Sequence, residues 1–186
     1  MANIGEELVG AYLRMCLNCD FVDYNVYTRD EQGEIDVIGI NFLKKTIYLC
    51  EVATHPFTGL QYNKNGKPAN IERLIKKFDK DIRYGKKYYK GFKQHYMFWS
   101  PVVKVPKGSG TIHSQMRDVE NIRQYIKKRH SVDLQLIINE TYLNALNELR
   151  ARANIETKES KFSVVRLFQI EGRVNKYVQV LKKRMK

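Results

Sequence analysis

Asp36 and Glu51 are the residues of this chain best suited to do chemistry. Asp36 lies in Gly33-Glu34-Ile35-Asp36-Val37-Ile38-Gly39, and Glu51 in Leu49-Cys50-Glu51-Val52-Ala53. Each run is apolar with an acid near one edge, and a short basic turn, Leu43-Lys44-Lys45, separates them. This pattern predicts a β-hairpin, with Ile35, Val37 and Ile38 in one strand and residues 46–52 in the next. Folded so, the two carboxylates come to the same end of neighbouring strands, where they repel unless a proton or a cation stands between them. Hard oxygen donors of this kind suit Mg²⁺, which takes one or two protein carboxylates and keeps several waters for a phosphate substrate. An acidic, cation-ready spot on a phosphate-attracting body is what phosphodiester hydrolysis needs.

The rest of the chain supplies the attraction. Lys and Arg number 33 against 20 acids, a formal charge of +13. Such an excess points to nucleic acid or another anionic partner. A hydrophobic content of 43%, with twelve Tyr and eight Phe, excludes a disordered chain. At 186 residues the expectation is one domain, or one domain with an appendage. No apolar run approaches a membrane span, and the N-terminus has neither a basic n-region nor an apolar h-region. The expected partner is therefore nucleic acid, with no membrane, and the expected compartment the cytoplasm. Cys16-Leu17-Asn18-Cys19 is formally a CxxC, but it falls at the end of a predicted helix and lacks four-ligand zinc spacing. With Cys50 these read as buried, inert thiols.

The elements that must position the acids follow from periodicity. A helix is predicted over 3–18, with Asn3 as its cap, and a strand over 20–28 before the hairpin. Residues 54–68 form a loop rich in turn residues. A second helix over 69–84 carries Ile71, Leu74, Ile75, Phe78 and Ile82 on one face and Arg73, Lys76, Lys77, Lys80 and Arg83 on the other. A strand over 94–104, a helix over 115–129, a strand over 132–138 and a helix over 141–153 come next. Residues 162–170 read equally as helix or strand, and 173–186 end the chain as a basic helix. The expected class is α/β, a mixed sheet flanked by helices with a mostly helical C-terminal extension. Residues 1–110 are expected to form the core, and 111–186 to complete or extend the same domain.

With these residues in view, the chain resembles the PD-(D/E)XK nuclease superfamily, of restriction-endonuclease-like fold, and most closely its Holliday-junction-resolvase-like branch. Gly5-Glu6 and Tyr12-Leu13 in the first helix, Gly33-Glu34-Ile35-Asp36, and Glu51-Val52 carry the likeness, over about the first half of the chain. The resemblance implies Asp36 and Glu51 as ligands of Mg²⁺ or Mn²⁺, the Val52 carbonyl as a third, and Glu6 as a first-helix acid pointing toward the site. It also implies a deoxyribonuclease producing a 5′-phosphate, with DNA favoured over RNA, and a homodimer. The family's lysine falls at position 53, which here is Ala53. In one reading the positive charge has moved to Lys77, Lys76 or Lys67. In the other the site is catalytically degenerate and the fold serves as a DNA- or RNA-binding module.

Plainer readings stand beside these. Asp36 and Glu51 are also the kind of strand-end acids that pair with Lys44, Lys45 or Arg29. Glu6 suits the first turn of any helix. His55 before Pro56 reads as a turn residue, Glu34 shares a strand face with Asp36, and Tyr96 and Trp99 read as core. Lys64 and Lys67 in the loop, with Arg73, Lys80, Arg83, Lys86 and Lys87 on and after the second helix, form the expected phosphate track. The bland alternative is a solvated helix face.

Overall fold

The computed structural model describes residues 2–105 and 114–185, so the expected boundary between 110 and 111 lies outside the described residues. The first helix, α1 (Ile4–Met15), starts at Asn3, whose side chain accepts from the Gly5 and Glu6 amides while Glu6 reaches back to the Asn3 amide. An antiparallel meander follows: β1 (Phe21–Tyr27), β2 (Glu34–Asn41) and β3 (Thr46–Val52). Residues 54–68 are not wholly irregular. They carry a two-stranded ribbon, β4 (Asn63–Lys64) and β5 (Lys67–Pro68), closed by Asn65 and Gly66 at φ of 52° and 75°.

Helix α2 (Asn70–Tyr88) crosses to β6 (Lys93–Ser100), which lies parallel to β3, and α3 (Gln115–His130) crosses to β7 (Leu134–Ile138), parallel to β6. The chain ends in α4 (Asn139–Ile155) and α5 (Ser163–Arg184). The sheet order is β1-β2-β3-β6-β7, a mixed sheet with helices on both faces, as its pattern of elements predicts. The C-terminal part contributes the edge strand β7 and so completes the same sheet.

Alternation along the strands sends side chains to two cores. On one face Ile38, Ile40, Ile47, Leu49, Tyr96 and Phe98 pack under α2 and α3. On the other, Val37, Cys50, Met97 and Trp99 pack under α1, α4 and α5. The three cysteines are free and buried, and Tyr96 and Trp99 are core residues. Residues 162–170, ambiguous in sequence, belong to α5, because Val164, Val165 and Phe168 share one helical face that docks on the body. Gly172 lets that helix pass α4: a Cβ there would sit 1.8 Å from Asn154 Oδ1. Among the described residues no helix is long and apolar enough to cross a membrane.

Candidate active site

The hairpin register brings the two acids together. Val37 pairs with Cys50, so the next step along the ladder sets Asp36 opposite Glu51. Both acids fall on the face covered by α2, and both are buried, Asp36 to 5% exposure and Glu51 to 1%. Asp36 Oδ2 accepts a hydrogen bond from the Val52 amide at 2.7 Å. Val52 thus touches the site through its backbone N–H. Ala53 shares the strand face of Glu51 but is buried among apolar side chains of the α2–α3 core.

The cation between the acids is Lys77. Leu74, Phe78 and Ile82 anchor α2 in the core, and Lys77, beside Phe78, stands at the rim of that face. Its Nζ lies 3.1 Å from Asp36 Oδ1 and 3.3 Å from Oδ2, and it also donates to Glu51 Oε2. Burial alone would lower the Lys77 pKa, but the charges of Glu51 and Asp36 outweigh it and hold the ammonium well above its ordinary range. The strand-end pairing with Lys44, Lys45 or Arg29 does not form.

A third acid completes the cluster. Asp81, one turn beyond Lys77 on α2, is 1% exposed. Burial raises its pKa to about 6, against the pull of Lys80, whose Nζ is 3.1 Å from Asp81 Oδ1. Glu51 is pushed well above the usual carboxylate range, first by burial, then by Asp81 and Asp36, with Lys77 opposing. Glu51 Oε1 and Asp81 Oδ2 are buried without a hydrogen-bond donor among the described groups, and Asp81 Oδ1 has the Lys80 ammonium. Burial and the mutual repulsion of the acids both favour a proton on this pair. Sequence reading passed over Asp81; its signal was the i, i+4 spacing from Lys77 on the sheet-facing side of the helix.

Most cations of the expected phosphate track have partners within the chain. Lys80 is 6% exposed and donates to the Glu34 carbonyl, so it is an internal group. Arg83 makes two 2.7 Å hydrogen bonds to Glu31, and Lys87 one of 2.8 Å to Asp30, both acids of the β1–β2 turn. Lys64 pairs with Glu72 at 2.5 Å, Lys86 donates to the His130 carbonyl, and Arg73 reaches the Asn63 carbonyl at 3.5 Å. The turn acids are drawn to the helix because its basic face passes over them, and the charge run is spent largely inside the molecule. Lys67 and Lys76 remain exposed with no ion pair among the described residues. A cleft of about 390 Å³ opens beside Lys77, lined by Lys76, Lys80, Glu34, Gly33 and the exposed Tyr27.

Glu6 serves its own helix. It closes the capping box with Asn3 and accepts from Asn25 Nδ2 at 3.4 Å, with no hydrogen bond to Asp36, Glu51 or Lys77. Asn25 opposes Asp36 in the β1–β2 register, between the Tyr24–Val37 and Val26–Ile35 pairs, so Glu6 stands one strand away from the acids. His55 is exposed in the loop, 6.5 Å from the Tyr62 ring.

The donor set fits a hard divalent ion on stated terms. Asp36 and Glu51 offer only oxygens, and Glu51 Oε1 is an orphaned acceptor at the site. Among the described residues no group of three or more His, Cys, Asp or Glu side chains is assembled for a metal. Two carboxylates suit an ion such as Mg²⁺, which takes one or two of them and keeps several waters. Such an ion requires the Lys77 ammonium to withdraw and Glu51 to be ionised. Comparison with protein-family models, with curated proteins and with solved structures finds no match to this chain.

Proposed function

We propose that this protein is a metal-dependent nucleic-acid phosphodiesterase, with DNA favoured over RNA as substrate, in which Lys77 on α2 replaces the strand lysine missing at Ala53. The observation that carries the reading is Lys77 Nζ reaching both Asp36 and Glu51 from the helix that faces them, beside an open cleft. When bound by Asp36 and Glu51, Mg²⁺ or Mn²⁺ would lower the pKa of a bound water and withdraw charge from the attacked phosphate. Glu51 takes part as the ionised carboxylate, the form that burial disfavours. Asp36 keeps its orientation through the Val52 amide. Lys77, relieved of neutralising the acids, turns its ammonium to the cleft, where it favours charge developing on the phosphate oxygens. Lys76, exposed on the same cleft, is the nearest further cation for the substrate backbone.

One observation favours a second reading. Because Lys77 already balances the acids, a phosphate can approach without any metal, and the fold can act as a binding module with an inert centre. A cleavage assay separates the two, with linear duplex, single strand, flap and four-way junction as substrates, in Mg²⁺, in Mn²⁺ and in chelator. Cleavage by wild type that both Asp36→Ala and Glu51→Ala abolish supports the enzyme. Metal-independent binding that is indifferent to Asp36→Ala, with no cleavage of any substrate, supports the module.

A further inference from the structure

Helix α5 carries two apolar faces, and only one is used within the chain. Val164, Val165 and Phe168 dock it on the body. Continued along the helix, that docking face becomes Gly172, Asn175, Gln179 and Lys182, which are small or polar. The helix is therefore not built to fold its second half back onto its own core. Residues 173–185 are all exposed.

A separate stripe runs the length of the same helix. Leu167, Ile170, Val174, Tyr177 and Leu181 are exposed by 62, 54, 55, 64 and 38%. Their spacing alternates three and four residues, and at about 100° per residue they lie within roughly 80° of one another. The stripe is centred roughly 140° around the helix from the docking face. This is the two-per-heptad spacing of a coiled-coil seam, flanked toward the tip by Val178 and Val180, exposed by 40 and 44%. An exposed helical arm of this length is marginal in water unless its seam is covered.

We propose that α5 is a self-association helix, whose seam pairs in antiparallel fashion with the same seam of a second copy of this chain. Self-complementarity supports this occupant. About a two-fold axis midway between Val174 and Tyr177, Ile170 meets Leu181 of the other copy, Val174 meets Tyr177, and both contacts repeat by symmetry. Charge fixes the direction. Beyond Glu171 the arm has Arg173, Lys176, Lys182, Lys183 and Arg184 and no acid. Parallel pairing would lay one positive tip on the other. Antiparallel pairing sends each tip to the root of the other copy and keeps the tips apart. Leu167 then packs on the aliphatic stem of Arg184, where the heptad pattern ends.

Light scattering on the full chain tests this, over roughly 1–100 µM because a dimer population depends on concentration. The expected mass is twice the 21.9 kDa of the chain. Val174→Glu and Leu181→Glu, both at exposed positions, should each return it to the single-chain value while leaving the circular dichroism and melting of the body unchanged. Direction is read by oxidative cross-linking. Ile170→Cys mixed with Leu181→Cys should form a disulfide-linked pair, whereas Leu181→Cys alone should not, its two copies lying roughly 16 Å apart along the seam. Single-chain mass at every concentration overturns the proposal, as does a dimer that survives both Glu variants. Self-linking by Leu181→Cys alone overturns the antiparallel arrangement. Monomeric chain captured on anionic vesicles through the same seam would assign it to a membrane surface and overturn it as well.

Discussion

Replacing Lys77 by Met removes the ammonium between Asp36 and Glu51 while keeping most of the side chain's apolar stem. Truncating one partner of a buried ion pair costs about 3–5 kcal/mol when a charge is stranded. Here the Lys77 side chain is 33% exposed, which screens part of the interaction. Glu51 already favours its protonated form, so Asp36 is the main stranded charge. The expected loss is therefore about 2–3 kcal/mol in chelator near neutral pH. For a domain of this size that corresponds to a drop in melting temperature of about 4–12 °C. The sign of the pH dependence follows. Lys77 has a raised pKa and stays charged across pH 5–8 in the wild type. The difference between the two proteins is therefore constant across pH 5–8 and narrows only as pH rises beyond the ordinary lysine range, above about pH 10. Mg²⁺ should then act in opposite senses on stability and activity. An ion at ten times its dissociation constant adds about 1.4 kcal/mol, and the variant gains more than the wild type because no ammonium has to be displaced. Cleavage, in contrast, should fall by about 100-fold or more with the loss of the charge near the phosphate. Thermal melts with and without Mg²⁺, beside a cleavage assay, read both. Equal melting of the two proteins in chelator would refute the ion-pair argument. Mg²⁺ that stabilises the wild type at least as much as the variant would refute the competition between lysine and metal.

Asp36→Asn and Glu51→Gln should each lower cleavage by about 100-fold or more and remove the Mn²⁺ binding heat seen by calorimetry. Glu51 and Asp81 have raised pKa values, so the folded state holds protons that the unfolded chain releases. Their contribution is complete below the unfolded carboxylate range; that of Asp81 declines as pH rises from about 4 through about 6, and that of Glu51 falls in the same direction. Denaturant titrations of wild type against Asp81→Asn should show that decline reduced in the variant. Metal affinity should move the other way and increase with pH, because the metal binds the ionised form of Glu51, which burial disfavours. Arg83→Ala and Lys87→Ala should leave the salt dependence of nucleic-acid binding almost unchanged, since Glu31 and Asp30 already hold those cations. Lys76→Ala should lower the slope by about one, as read by fluorescence anisotropy across a salt series.

The hairpin was legible because two short apolar runs and a basic turn allow little else, and the period-two pattern places Asp36 and Glu51 on one face. The helices over 69–84 and 115–129 were legible for the same kind of reason, as long runs of clear period. What periodicity misses is competition. The run Phe162-Ser163-Val164-Val165-Arg166-Leu167-Phe168 suits strand and helix alike, and docking against the α1–α4 layer decides it. Lys80, Arg83 and Lys87 look like a phosphate track because a charge run carries no record of its partners. Those partners, Asp81, Glu31 and Asp30, are near neighbours in space, and two of them lie some fifty residues away in sequence. Asp81 went unread because an acid next to Ile82 looks like part of the solvated face until the helix is rotated onto the sheet.

On the proposed reading, a lysine on the helix stands in for one on the strand, and that changes what holds it. At position 53 it would share the pleat of Glu51, with its direction fixed by the sheet, but that position faces a core of Leu60, Leu74 and Val103, where an ammonium would be stranded. From α2 the same charge arrives at the rim, a third exposed, and can reach the acids or the cleft by rotating its own side chain. Lys77 and Lys80 pair with Asp36, Glu51 and Asp81, so the acids are not left without cations when no metal is bound. A site of this design is closed by its own cation when empty. Metal and substrate together must supply what the lysine gives up, so a divalent ion and a phosphate should bind more tightly together than the separate affinities of either would indicate.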